Sequence, residues 1–162
     1  MQYTIRPAGP DDAQAVAAMT RALNEHDKGA PILMTAASFR RDGFGENPAF
    51  HVFIAQDNAG SPVGYALWYL EYDALGGRRG GYMEDLWVDP AARGTGLARR
   101  LMSAVAREIT TRGGSYLTWT AKKDNTIANA YYAKVGKAEP EYLAWAADGE
   151  DFDALLGVDD GS

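Results

Sequence analysis

The sequence contains no cysteine and only two histidines. Without a thiol there is no disulfide framework, no thiolate metal ligand and no cysteine nucleophile to carry an acyl group. His26 and His51 are far apart and lack metal-ligand spacing, so no metal is expected. Long apolar runs are missing too. Nothing is long enough to span a bilayer, and Met1-Gln2-Tyr3-Thr4-Ile5-Arg6 is no signal-peptide segment, so the expected compartment is the cytoplasm, with no membrane partner. Basic residues are in deficit, with 16 Lys and Arg against 22 Asp and Glu and a formal net charge of −6. That balance argues against nucleic acid, whose affinity comes mostly from neutralised phosphates, and suits small cationic substrates.

What is present is 162 residues, 46% of them hydrophobic, which is enough chain to bury one core. No linker or internal repeat interrupts it, so a single globular domain over residues 1–162 is expected.

The chain is organised around Gly81 to Ala98. Tyr82 to Val88 is rich in aromatic and β-branched residues and reads as a strand, which Asp89-Pro90 ends. Leu97, Leu101, Ala104, Val105 and Ile109 then recur at helical spacing, so a helix starts near Gly96 and runs to Gly113-Gly114. Between them, Arg93-Gly94-Thr95-Gly96-Leu97-Ala98 makes a tight turn whose amides converge at the positive end of the helix dipole. A short Gly-x-Gly is often only a turn. Here Arg93, Arg99 and Arg100 rim it in an acidic protein, which points to a visiting anion.

Elsewhere, Tyr3 to Arg6 reads as a short strand, and Asp11 or Asp12 caps a helix that ends near Lys28-Gly29. A second helix runs from the cap Thr35 to Gly43. Phe50–Gln56 and Val63–Tyr72 form an antiparallel hairpin, and a Gly/Arg-rich connection from Asp73 to Gly81 leads into the central strand. Ser115–Ala121 is a strand that must lie parallel to Tyr82–Val88 by a right-handed crossover. Asn125 caps a helix over Thr126–Val135, Tyr142–Ala146 is a last strand, and the acidic end holds a short helical turn around Phe152, Leu155 and Leu156.

Arg93-Gly94-Thr95-Gly96-Leu97-Ala98 resembles the pyrophosphate loop of the GNAT superfamily of acyl-CoA-dependent N-acetyltransferases. With Tyr82-Met83-Glu84-Asp85-Leu86, Arg41 to Pro48, and Asn125, Ala128, Tyr132, Lys134 and Gly136, nearly the whole chain is similar to the diamine (spermidine/spermine) N-acetyltransferase branch. The resemblance implies a mixed α/β fold, a mostly antiparallel twisted sheet with one splayed parallel strand pair, flanked by helices. It implies acetyl-CoA as cosubstrate, held by Gly94, Thr95, Gly96, Leu97 and Ala98 with Arg93 and Arg99 as charge partners. Asn125, Ala128 and Lys134 lie where the family contacts the rest of that molecule. A free backbone amide around Leu86, Trp87 or Val88 would polarise the thioester carbonyl.

Acetyl transfer to an amine needs a base, because an alkylammonium keeps its proton until about pH 10.4. The resemblance gives that role to Glu84. Strict strand alternation points Glu84 and Asp85 to opposite faces, so only one of them should face the reacting group. The leaving thiolate needs a proton donor, which the resemblance assigns to Tyr132 rather than to its neighbour Tyr131. His26 and Asp27 align with an aromatic and an acid that line the amine pocket in that branch. With Glu84 and Asp85 they favour a diamine, polyamine or lysine-like substrate. Direct attack is implied, since no cysteine is available. The alternatives are a non-catalytic acyl-CoA sensor, which needs only the loop, and an acetyltransferase for aminoglycosides or peptides. A homodimer is expected from the family habit and from Tyr65, Trp68, Tyr69, Tyr72 and Trp145, residues that could equally fill the core.

Overall fold

Alternating apolar residues in the middle of the chain build a five-stranded sheet in strict sequence order. In this computed structural model, residues 2–27, 33–141 and 144–156 are described, and the side chains of His26 and Asp27 lie outside that description. Two units can be distinguished, Met1–Lys122 and Lys123–Ser162.

The first unit runs β1 (Thr4–Pro7), α1 (Ala13–Asp27), α2 (Ala36–Gly43), β2 (His51–Gln56), β3 (Pro62–Asp73), β4 (Arg78–Val88), α3 (Leu97–Thr111) and β5 (Gly114–Trp119). Strand order is β1-β2-β3-β4-β5, antiparallel except for the parallel β4–β5 pair. The mixed sheet with one parallel pair is the expected architecture.

Each face of the sheet has its own helices. Ile54, Tyr65, Leu67 and Trp87 pack with Val16, Met19 and Phe39 from α1 and α2. On the other face α3 crosses all five strands and buries Leu97, Leu101, Val105 and Ile109 at helical spacing. Each such side chain stabilises the fold by roughly 1.5–3 kcal/mol. Thr35 caps α2 as its sequence suggests, accepting from the Ser38 N–H.

The expected connection from Asp73 to Gly81 is mostly strand. Only Ala74–Gly77 turns, and β4 starts at Arg78. Gly80 and Gly81 lie inside it because their missing side chains make room for neighbours. The Tyr116 ring fills the space beside Gly80, and Ile109 of α3 fills that beside Gly81.

In the second unit, α4 spans Thr126–Tyr132 and α5 spans Gly149–Leu156. The strand expected over Tyr142–Ala146 does not form at Ala144–Ala146, and Tyr142 and Leu143 lie outside the described residues. Among the described residues, no helix is long and apolar enough to cross a membrane.

Candidate functional site

The C-terminal half of β4 departs from regular strand geometry in two ways, and the sequence pattern explains neither by itself. The first is a bulge. Trp68 stands opposite Met83 and Leu67 opposite Asp85, which leaves Glu84 as an extra residue in β4. A bulge re-aims the side chains around it. Tyr65, Leu67 and Tyr69 share the α1 face of β3. The Tyr65 hydroxyl donates to Asp85 Oδ2 at 2.8 Å, and the Tyr69 hydroxyl to Glu84 Oε2 at 3.4 Å. Both carboxylates therefore reach the same face of the sheet. The expectation that alternation sends them to opposite faces is corrected by the bulge.

The second departure is the end of the parallel ladder. β4 and β5 pair only as far as Met83 opposite Trp119, whereas β4 continues to Val88. The Asp89 N–H donates to the Val63 carbonyl at 2.9 Å, which fixes the phase of the β3–β4 bonds. With Gly64 opposite Val88, the phase turns the Trp87 amide toward β3. The amides of Leu86 and Val88 point the other way, to the side where β5 has ended. Trp87 thus belongs to the core, 8% exposed, rather than to the open edge.

Beyond β4, Asp89 accepts the Ala91 N–H and starts a single helical turn, Pro90–Ala92. The Thr95 hydroxyl donates to the Ala92 carbonyl at 2.7 Å. Gly94 and Gly96 adopt φ of 76° and 81°, left-handed values that cost a side-chain-bearing residue about 1–2 kcal/mol. An added Cβ at either would touch nothing within 4 Å, so conformation rather than crowding asks for glycine. No side chain caps α3. Among the described residues, no protein acceptor meets the amides of Gly94, Thr95, Gly96, Leu97 or Ala98. Five donors at the positive end of a 15-residue helix fit a multiply charged anion such as a pyrophosphate.

The three arginines of the expected rim differ in their surroundings. Arg93 is anchored, its Nε donating to the Val88 carbonyl at 3.0 Å and its guanidinium lying 4.8 Å above the Trp87 ring. Arg100 is turned to the far edge, where it donates to the Tyr3 carbonyl at 2.8 Å. Arg99 is exposed in the first turn of α3.

Residues not foreseen from sequence complete the α1 face. The Tyr69 and Tyr82 rings stack at 5.3 Å, the Tyr82 hydroxyl meets Thr120 Oγ1 at 2.8 Å, and Thr118 donates to Glu71 Oε2 at 2.6 Å. Glu71 reaches Thr118 across Gly80 and Gly81, where β4 has no side chain to intervene. Burial, reinforced by Glu84, pushes the Tyr69 hydroxyl up to about 12, and burial and Asp85 raise that of Tyr65. Both phenols therefore stay protonated near neutrality and present hydrogen to the carboxylates.

In the second unit, Asn125 caps α4 by accepting from the Ala128 N–H at 3.1 Å. The adjacent Tyr131 and Tyr132 are both half-buried, their ring centroids 5.6 Å apart. The Gly136 N–H closes the helix on the Tyr132 carbonyl, and Lys134 is exposed. Among the described residues, no group of three or more His, Asp or Glu side chains could hold a metal ion.

Residues 17–136 match the acetyltransferase (GNAT) family. A thialysine N-epsilon-acetyltransferase from Mus musculus is 34% identical over 134 residues, covering 75% of this chain and 78% of that protein. A spermidine/spermine N(1)-acetyltransferase-like protein from Homo sapiens is 36% identical over 86 residues, covering 49% of this chain and 12% of that protein. Among solved structures, an integron cassette protein from the mobile metagenome of V. cholerae superposes with a TM-score of 0.79 at 23% identity. That match covers 98% of this chain and 99% of the other.

Proposed function

The chain belongs to the acetyltransferase (GNAT) family and is an acetyltransferase; on that premise we propose that it moves an acetyl group from acetyl-CoA to a primary amine of a small cationic substrate. Diamines, polyamines and lysine-like amines are the substrate class. The observation that carries this reading is the pair of carboxylates brought by the bulge to one sheet face, beside the stretch where β4 loses its parallel partner. The mouse relative is named for the epsilon amine of thialysine, which agrees with a cationic alkylamine.

The donor supplies an acetyl group already activated as a thioester. The amides of Gly94, Thr95, Gly96, Leu97 and Ala98 hold its pyrophosphate, with Arg93 and Arg99 adding charge. Asn125, Ala128 and Lys134 serve the remainder of that molecule. Glu84 accepts the proton of the alkylammonium, directly or through one water, and so frees the lone pair. The amides of Leu86 and Val88 are the donors available to a carbonyl oxygen that gains charge, and backbone donors suit this because they are fixed beforehand. Tyr132 returns a proton to the departing thiolate. Asp85, Glu71, His26 and Asp27 recognise the cationic body of the substrate, with no role for a metal or for nucleic acid.

A cytoplasmic homodimer belongs to the same reading. Tyr72 and Trp145, 62% and 88% exposed, are available for an interface, whereas Tyr65 and Trp68 are core residues and take no part.

The test is release of free thiol from acetyl-CoA by the purified protein. The panel holds diamines, polyamines, lysine and thialysine, aminoglycosides and short peptides. Turnover strongest with diamines or lysine-like amines is expected. Turnover only with aminoglycosides or peptides would keep the chemistry and discard the substrate class. Binding of acetyl-CoA with no turnover on any amine would favour a sensor.

A further inference from the structure

A cavity of about 320 Å³ lies apart from Glu84, beneath the loop between α2 and β2. Phe44 and Phe50 give it apolar walls, and His51, Trp68, Glu108 and Arg112 give it polar ones. The Trp68 side chain sits on the α3 face of β3, beneath the Arg112 guanidinium at 5.7 Å, whereas Tyr65 and Tyr69 serve the opposite face.

Its hydrogen-bonding groups are out of balance. Trp68 has no exposure to solvent, yet its indole Nε1, a donor only, has no partner. An orphaned buried donor is destabilising, so the fold carries it at a loss unless something else accepts from it. Arg112 donates its Nε to Glu108 Oε1 at 2.9 Å, which engages one oxygen of the one carboxylate in the lining and leaves the two terminal nitrogens of the guanidinium for a ligand. His51 packs against Trp68 at 4.9 Å, and burial together with Arg112 lowers its proton affinity. The Trp68 indole and the terminal nitrogens of Arg112 are the donors at hand, and aromatic rings stand among the walls.

We propose that this cavity is a second binding site, distinct from the amine site, for a small monocarboxylate with an apolar or aromatic body. The ring or alkyl part lies against Phe44 and Phe50. The carboxylate takes the terminal nitrogens of Arg112, and as that side chain gives way it also accepts from the Trp68 indole. A cavity of this size is at the lower end of those that hold small molecules. The required charge is opposite to that of the amine substrate, so the two sites do not compete for one compound.

The test uses phenylacetate, with phenethylamine as its cationic counterpart, on the full chain labelled with nitrogen-15. The four tryptophans give four indole N–H resonances, and Trp68→Phe identifies the one from Trp68. Titration with phenylacetate to millimolar concentration is expected to shift that resonance selectively. Phenethylamine should leave it in place, and Arg112→Gln should weaken the response by about tenfold, the loss of one charge-assisted hydrogen bond. The proposal is overturned if the Trp68 resonance does not move with phenylacetate. It is equally overturned if the amine moves it as well as the acid, or if Arg112→Gln binds as tightly as the parent. Should Trp68→Phe fail to fold, through-space contacts to the His51 ring, 4.9 Å from Trp68, identify the resonance instead.

Discussion

The hydroxyl of Tyr65 donates to the carboxylate of Asp85 at 2.8 Å, from a ring with no solvent exposure. Core and candidate site are thus one construction: the ring packs with Ile54, Leu67 and Trp87, and its polar tip fixes an acid at the edge of the candidate site. Tyr65→Phe keeps the packing and removes the donor. A hydrogen bond to a charged group contributes about 1.5–3 kcal/mol, so a loss of that order is expected in urea unfolding, with an unchanged denaturant slope. A loss below about 0.5 kcal/mol would mean that the hydroxyl does not support the carboxylate.

Glu84 and Tyr132 are assigned opposite proton movements, and their variants should separate. Glu84→Gln is expected to lower kcat by about 10² or more and to leave a residual rate that climbs with pH as solvent deprotonates the amine, because the amide cannot accept that proton. An undiminished kcat would place the base elsewhere. Tyr132→Phe should lower kcat on a similar scale with little change in the KM for acetyl-CoA. Full turnover in that variant would remove Tyr132 as the acid.

Gly96 holds a left-handed conformation in open space, so Gly96→Ala tests conformation without a clash. It should cost about 1 kcal/mol of stability and weaken acetyl-CoA binding, since the strained backbone relaxes by turning its amides away. Calorimetric titration with acetyl-CoA reads the second effect. An unaltered affinity would show that the loop amides do not carry the binding.

Much of this was legible in the sequence because periodicity and punctuation agreed. Leu97, Leu101, Val105 and Ile109 announced α3 by spacing, and Gly94 and Gly96 announced the left-handed loop by type. Glu71, Tyr69 and Tyr82 were not legible. Reading Asp73 to Gly81 as a connection hid the register that sets Glu71 opposite Gly80 and Tyr69 opposite Tyr82. Two glycines that look like a flexible loop lie in a strand because Tyr116 and Ile109 occupy the room, and that contact depends on elements more than 25 residues away. The bulge at Glu84 escaped for a related reason. Its cause is the pairing of β4 with β3, and no local pattern within Met83-Glu84-Asp85 encodes an extra residue.

Arg6 forks onto Asp12, its NH1 and NH2 donating to the two carboxylate oxygens at 2.7 and 2.8 Å, while the Gly9 N–H donates to the same carboxylate at 2.7 Å. These bonds tie the end of β1 to the turn that starts α1. The guanidinium, with help from the Gly9 amide and against some burial, holds the Asp12 carboxyl below the usual aspartate range. An unfolded aspartate takes up its proton near pH 3.9, and the folded one resists until a lower pH. Between those two values the unfolded chain binds more protons, so the contribution is complete above about pH 4 and is lost as pH falls through the folded value. Asp12→Asn removes both the charge and one acceptor of the fork. The variant should be less stable than the parent at neutral pH, and the difference should shrink as the pH falls below about 4. Urea midpoints of the two proteins across that range read the effect directly. A difference that stays constant down to the lowest pH would mean that the bonds at Asp12 do not depend on its charge.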